Sequence, residues 1–303
     1  MTTVDSVPEG PRSAEQSTSA VAADSVDDWL RSLVPAKGLG AKAHALLHQL
    51  QTHPSRASYA SAHELATASG TTVATVTRLA QSLGFEGWPD LQRQIRTRHL
   101  SYLSLTEVIR AHQGSALPSH SSVQQDLDSL AVFLREVDHD QLNRIATGLG
   151  SAHRIYISAE GSYSSIAIAM AHNTRLAGYD AHAIVDGGAT LANSIAKMQP
   201  GDVYVVVSFW RLYESALIAS TEAKKRGVSV FVISDTVPRE LQDSADEIIL
   251  VPSEGASFFP SLTTGMAAQQ AIVTALSTID AERTGASIKA ADESWRRFKL
   301  LHR

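Results

Sequence analysis

Two short stretches of this sequence place hydroxyl groups and glycine where a small anion can be held. Ser158-Ala159-Glu160-Gly161-Ser162-Tyr163-Ser164-Ser165 follows one apolar run, and Ser208-Phe209-Trp210-Arg211-Leu212-Tyr213-Glu214-Ser215 follows another. A loop of this kind leading into a helix presents hydroxyls and free backbone N–H groups at the helix N-terminus, an anion-binding arrangement. The candidate effector contacts are Ser158, Glu160, Ser162, Tyr163 and Ser164 in the first loop and Ser208, Trp210, Arg211 and Tyr213 in the second. Arg211 can fork onto a phosphate or carboxylate, and the aromatics can stack on a sugar ring or simply fill the pocket. Ser and Gly cap helices in most proteins, so either loop alone says little; two of them at adjacent strand ends point to a ligand.

Other chemistry is poorly served. His44 and His48 are four apart (HALLH), as metal ligands can be, but no acidic residue lies between them and no third ligand is evident. Glu160 and Glu254 can be read as the acid–base pair of an isomerase. The chain has no cysteine, which excludes disulfides, Cys-ligated metals and a thiol nucleophile. No metal, cofactor or catalytic residue is expected, and a reducing cytoplasm is the natural setting. The first 28 residues lack an apolar core flanked by basic residues, so no secretory signal is expected. The longest uncharged run, residues 255–279, is long enough to span a bilayer. It carries Ser257, Pro260, Ser261, Thr263, Thr264, Gln269 and Gln270, so it reads as a buried loop and helix of a soluble protein.

The elements that must position the two loops alternate. Residues 154–158, 181–185, 202–208, 228–234 and 247–251 read as strands, and 202–208 (DVYVVVS) is nearly continuous in hydrophobicity, as a parallel strand buried on both faces should be. Helices are expected over 166–176, 213–226 and the later part of 255–279. Strands alternating with helices imply a doubly wound α/β sheet, in which ligands bind at the strands' carboxyl ends. The stretch 283–303 carries Trp295, Phe298 and Leu300 at helical spacing, suggesting a final helix that packs on a neighbour.

The N-terminal part differs in charge and pattern. Of 303 residues, 26 are basic and 31 acidic. Residues 37–98 nevertheless carry +4 and residues 121–280 carry −8, which suggests an anionic partner for the first segment. Ser61-Ala62-His63-Glu64 is a capping box opening a helix over 62–68. Ser69-Gly70-Thr71 breaks it, and Thr72 caps a second helix running to about Ser82. On that helix Val76, Leu79, Ala80 and Leu83 form one apolar stripe. The other face shows Ala74, Arg78 and Gln81 flanked by Thr75, Thr77 and Ser82, small or hydrogen-bonding groups suited to a major groove. A third helix after Gly87-Trp88-Pro89-Asp90 carries Arg93, Arg96 and Arg98 as a phosphate-contacting flank. The candidate DNA contacts are therefore Ser61, Thr72, Ala74, Thr75, Thr77, Arg78, Gln81, Arg93 and Arg96.

Here Ser61-Ala-His-Glu-Leu-Ala66, Gly70-Thr-Thr-Val-Ala-Thr-Val-Thr-Arg78 and Leu83-Gly-Phe-Glu-Gly-Trp-Pro-Asp-Leu91 resemble the DNA-binding domain of RpiR/MurR-type bacterial transcription regulators, departing only in Thr71-Thr72 where Val-Ser is usual. The resemblance implies a second domain of the SIS (sugar isomerase) type, a demand the alternating segment meets. SIS domains that hold phosphosugars typically read G-x-G-x-S-[SG] and S-x-S-G-x-T at the two loops. Here Ala159 and Tyr163 depart from the first pattern, and Trp210, Arg211 and Tyr213 from the second. The expected organisation is a tail over 1–26, a helix-turn-helix domain over 27–103, a linker over 104–120, an SIS domain over 121–281 and a helical tail over 282–303. The expected function is that of a homodimeric or homotetrameric regulator that binds a double-stranded DNA operator. A small anionic effector, a sugar phosphate or carboxylate, would shift its operator affinity. The rivals are a sugar-phosphate isomerase with an accessory domain and an SIS scaffold without a small ligand.

Overall fold

The computed structural model describes residues 26–102, 118–210, 212–235, 239–257 and 259–300. Arg211, the 1–25 stretch and most of the expected linker lie outside them.

The N-terminal domain is helical: α1 (Val26–Ser32), α2 (Ala41–Thr52), α3 (Pro54–Tyr59), α4 (Ala62–Ala68), α5 (Val73–Ser82) and α6 (Trp88–Tyr102). The expected caps form. The Ser61 hydroxyl accepts from the Glu64 amide at 3.2 Å while Glu64 accepts from the Ser61 amide at 2.7 Å, and Thr72 accepts from the Thr75 amide at 3.3 Å. Those bonds pull the Glu64 carboxyl below its usual range. Between the two helices Gly70 turns at φ 61°, a conformation that side chains with a Cβ resist. The stripe Val76, Leu79, Ala80 and Leu83 is buried against Leu30, Leu46, Leu50, Leu91 and Ile95. The Trp88 indole closes the domain, donating to the Ala60 carbonyl at 3.0 Å.

In the C-terminal domain α7 (Pro118–Glu136) and α8 (His139–Ser151) precede the sheet. The sequence reading assigned residues 118–120 to the linker; they are instead the first turn of α7, which Pro118 can open because its missing N–H has no helical partner there. The sheet then builds through β1 (Ile155–Ser158), α9 (Ser164–Leu176), β2 (Ala181–Ile184), α10 (Gly188–Lys197), β3 (Val203–Ser208), α11 (Glu214–Lys225), β4 (Ser229–Ser234), α12 (Arg239–Ser244) and β5 (Glu247–Leu250). Helices α13 (Thr263–Ile279) and α14 (Ala281–Arg297) follow. All pairings are parallel, in the order β2-β1-β3-β4-β5.

Alternation along the strands divides the core in two. Val203, Val205 and Val207 face α8, α9 and α13, whereas Tyr204 and Val206 face α10, α11 and α12. With helices on both faces, the strand sequence loses its polar alternation and reads as an apolar run. Helix α14 docks through Arg283, which lies 4.8 Å over the Tyr179 ring, and the buried Thr284 hydroxyl, 3.4 Å from the Ala177 carbonyl. The aromatic end beyond it does not pack within the described chain: Phe298 and Leu300 are 77% and 63% exposed.

Leu79 is 1% exposed at the centre of the helical domain. Leu79→Ala should destabilise that domain by about 2–5 kcal/mol, the usual cost of removing a buried leucine. Hydrogen exchange should show amides of α2 and α5 losing protection while those of β3 and β4 keep theirs.

Candidate effector cleft and nucleic-acid interface

Strand β1 ends at Ser158 and β3 at Ser208, and their parallel pairing brings both following loops to one edge of the sheet. There Ser158, Glu160, Ser208 and Tyr213 line a single cleft, together with Gly187, Leu191 and Ala216. The cleft spans about 290 Å³ with the adjoining open solvent included, and its enclosed space has room for about one water.

Each polar group in the cleft has a definite state. The Ser158 hydroxyl and the Tyr204 phenol share a 2.6 Å hydrogen bond, and burial pushes the Tyr204 hydroxyl far up, so it stays protonated. The Ser215 hydroxyl donates to Glu160. The other oxygen of Glu160 faces Gly187, 3.0 Å from where a Cβ would stand; Gly187 (φ 62°) can take that place because it has none. Ser208 is 2% exposed and its hydroxyl has no hydrogen-bond partner. Tyr213, 43% exposed, stands at the start of α11 with its hydroxyl 3.4 Å from the position a Cβ on Gly161 would occupy.

The remaining expected effector contacts among the described residues, Ser162, Tyr163, Ser164 and Trp210, are not in the cleft lining. Tyr163 is buried edge-on against Phe209, ring centroids 5.3 Å apart. Ser162 is exposed, and the Ser164 hydroxyl turns back to the Ala159 carbonyl at 3.4 Å. Trp210 is not among the lining residues: its backbone is left-handed (φ 60°), and its amide donates to both carboxylate oxygens of Asp235, at 2.9 and 2.8 Å. The Ser253 hydroxyl donates to the same carboxylate. The sequence reading missed Gly187, Ser215, Asp235 and Ser253. A Gly187-Gly188 pair directly after a strand was the available signal for the first; the others depend on chain crossings that no local pattern reports.

On the helical domain, the first turns of α5 stand clear. Thr72, Ala74, Arg78 and Gln81 are exposed, with Thr75 and Thr77 half-buried beside them. Arg78 bonds only to its own helix, at the Ala74 carbonyl 3.1 Å away, and Thr77 to the Val73 carbonyl at 3.2 Å. Val73, 43% exposed at the first position of α5, joins this face unforeseen; a valine there can meet a thymine methyl. Ser61 is committed to its capping box. Arg93 and Arg96 lie on α6 among acidic partners. Arg93 bridges Asp90 and Glu136, both at 3.0 Å, and Arg96 bonds the Ser58 carbonyl at 2.8 Å and pairs with Glu254. The pair Glu160 and Glu254 is therefore not assembled in the cleft: Glu254 serves Arg96 and is absent from the cleft lining. Among the described residues no group of three or more His, Asp or Glu could hold a metal.

Residues 36–100 match the helix-turn-helix domain of the rpiR family, and residues 148–281 match the SIS domain. The chain thus joins a helix-turn-helix domain of the rpiR family to an SIS domain. Among its relatives is YfhH of Escherichia coli (strain K12), an uncharacterized HTH-type transcriptional regulator. It is 24% identical over 223 residues, 72% of this chain and 79% of that protein. Two solved structures share the fold. The sugar isomerase domain of an RpiR transcription factor from Sphaerobacter thermophilus is 19% identical with a TM-score of 0.56, covering 58% of this chain and 99% of that one. The NanR protein of Vibrio vulnificus, complexed with ManNAc-6P, is 20% identical with a TM-score of 0.56, covering 92% of this chain and 100% of that one. Among the described residues no helix is long and apolar enough to cross a membrane.

The carboxyl of Asp235, turned inward, is pushed by burial from 3.8 up to about 6, against the hydrogen bonds from Ser253 and Trp210 that lower it. A carboxyl that binds its proton more tightly when folded stabilises the fold fully below the unfolded value and loses that contribution as pH climbs through the folded one. Asp235→Asn, with no proton to lose, should therefore gain stability relative to the parent as pH rises from 4.5 to 7. Thermal unfolding of the two proteins across that range checks it.

Proposed function

We propose that this protein is a ligand-responsive, DNA-binding transcription regulator and not an enzyme. The observation that carries the DNA reading is the exposed face of α5 over a buried apolar stripe, where Thr72, Val73 and Ala74 are short enough for close approach and Arg78 is long enough to reach a base edge. N-terminal residues of the second helix of a helix-turn-helix are those that reach base edges. Arg78, held at one nitrogen by its own helix, keeps the rest of its guanidinium for guanine. Such work belongs in the cytoplasm, where the DNA is.

The protein acts as a homodimer or homotetramer, so that two recognition helices meet a paired operator. Val123, Leu127 and Leu134, at 63%, 56% and 71% exposure along α7, support self-association, because contiguous exposed apolar rows mark interaction surfaces. The effector is a small molecule bound in the cleft at the ends of β1 and β3. Two ligand forms fit this reading: a sugar phosphate or carboxylate, supported by the phosphosugar in the NanR complex and by Arg211, which lies outside the described residues, and an uncharged sugar or an amine, supported by the Glu160 carboxylate in the lining.

Binding shifts the balance between conformations that differ in DNA affinity. A polar chain favours such coupling. Beyond the cleft, Trp210 on the second loop bonds Asp235, Asp235 bonds Ser253, and the neighbouring Glu254 pairs with Arg96 of the helical domain. Movement of the loop thus bears on whether Arg96 is free for phosphate. An isomerase is disfavoured because, among the described residues that line the cleft, no second carboxylate or histidine stands with Glu160. The scaffold reading has one observation in its favour, a cleft with room for about one water; a ligand must part the loops to enter it.

Arg78→Ala should weaken binding to the cognate operator by about 1–3 kcal/mol and relax the preference for its sequence, with the oligomer unchanged by light scattering; retained sequence preference would remove Arg78 from the reading set. Glu254→Gln should release Arg96, tightening binding to any duplex and steepening its salt dependence by about one unit of log–log slope. Fluorescence anisotropy against a salt series reads both quantities.

A further inference from the structure

The cleft carries an anion of its own. Among the described residues lining it, Glu160 is the only charged side chain. Its carboxylate sits between two helix starts: against Gly187, the residue capping α10, and under the hydroxyl of Ser215 in the first turn of α11. Helix starts of this kind offer free amides and the positive end of the helix dipole, the place where a bound phosphate is ordinarily stabilised. Here the protein's own carboxylate stands beside both helix starts. A second observation is independent of it. The Ser208 hydroxyl is buried, lines the same cleft and has no partner, so a polar group is provided for something that is not protein.

We propose that the effector enters this cleft through hydrogen-bond donors, hydroxyl or ammonium groups that reach the Glu160 carboxylate and the Ser208 hydroxyl, and that a phosphoryl group is excluded from it. The inference rests on the cleft being the effector site. A carboxylate is acceptor-only, with lone pairs left after the bond from Ser215, and a sugar hydroxyl or an amine supplies what it lacks. A phosphate dianion brings no donors and would stand against a like charge in a partly enclosed site, where repulsion is screened less than in water. The Ser208 hydroxyl both donates and accepts, so it suits a ligand hydroxyl. Tyr213, half-exposed at the mouth, offers a ring face to the C–H side of a sugar. The ligand class is therefore an unphosphorylated polyol or amine, for which the two loops must part, since the cleft as it stands has room for about one water.

The test is thermal shift of the full chain with matched pairs: glucose and glucose 6-phosphate, glucosamine and glucosamine 6-phosphate, N-acetylmannosamine and its 6-phosphate, with inorganic phosphate alongside. At least one parent sugar should raise the melting temperature more than its phosphate does. Glu160→Gln, near-isosteric and uncharged, should weaken the stabilising amine or sugar at least tenfold and narrow its advantage over the phosphate. Ser208→Ala, which only removes an unsatisfied hydroxyl and so should fold, should weaken the same ligand. A phosphorylated member winning on the unaltered protein overturns this inference and leaves the effector reading standing. No shift with any compound contradicts the effector reading itself, and the inference falls with it.

Discussion

A parallel sheet covered by helices on both faces delivers its strand carboxyl ends, and the loops that leave them, to one edge. Antiparallel strands can be joined by tight hairpins; parallel strands need long crossovers, each returning to the same starting side. The runs at 203–208 and 229–234 are buried on both faces, so only helices can cover them, and the helices fix the direction of every strand. That constraint puts Ser158 beside the loop after β3, sets Ser208 level with Ser234, and brings Asp235 within reach of the Trp210 amide. The cleft and the polar chain behind it are both consequences of it.

The two halves of the protein use charge differently. In and behind the cleft, charge is held still: Glu160 in its lining against a glycine and a serine, Asp235 beyond it between an amide and a hydroxyl. Where the domains meet, charge is held in exchangeable form. A guanidinium on a carboxylate is the same contact that a guanidinium makes with phosphate, so the α6 arginines can serve Glu136 and Glu254 or a DNA backbone, and not both at once. The residues proposed to read bases are separate from this competition: Thr77 and Arg78 bond only to carbonyls of α5, and Gln81 to the Glu86 carbonyl just beyond it.

What the sequence disclosed follows the range of the interactions. The capping box, the Gly70 turn and the stripe on α5 are contained within 25 residues, and the structure reproduces them residue by residue. Strand β3 was legible because burial on both faces leaves an unbroken apolar run. Helices α7 and α8 were not named in advance: their exposed faces are polar and α7 carries apolar residues on the outside as well, which blurs the period. Arg93 and Arg96 read as a basic flank, since nothing within a few positions announces partners 43 and 158 residues away. In the cleft, Ser158, Glu160, Ser208 and Tyr213 were legible as loop residues after strands. The turning of Tyr163 and Trp210 out of the lining was not, because it depends on Phe209 and Asp235.

The central claim is that α5 reads a DNA sequence and that the domain behind it responds to a ligand; the first half must hold for the second to matter. A salt titration of the intact protein on its own upstream DNA, against a scrambled duplex of equal length, tests it most directly. The account requires tight binding to the native duplex that persists above binding to the scrambled one while both weaken with salt. Equal, weak binding to both would make the helix-turn-helix architecture alone and contradict it.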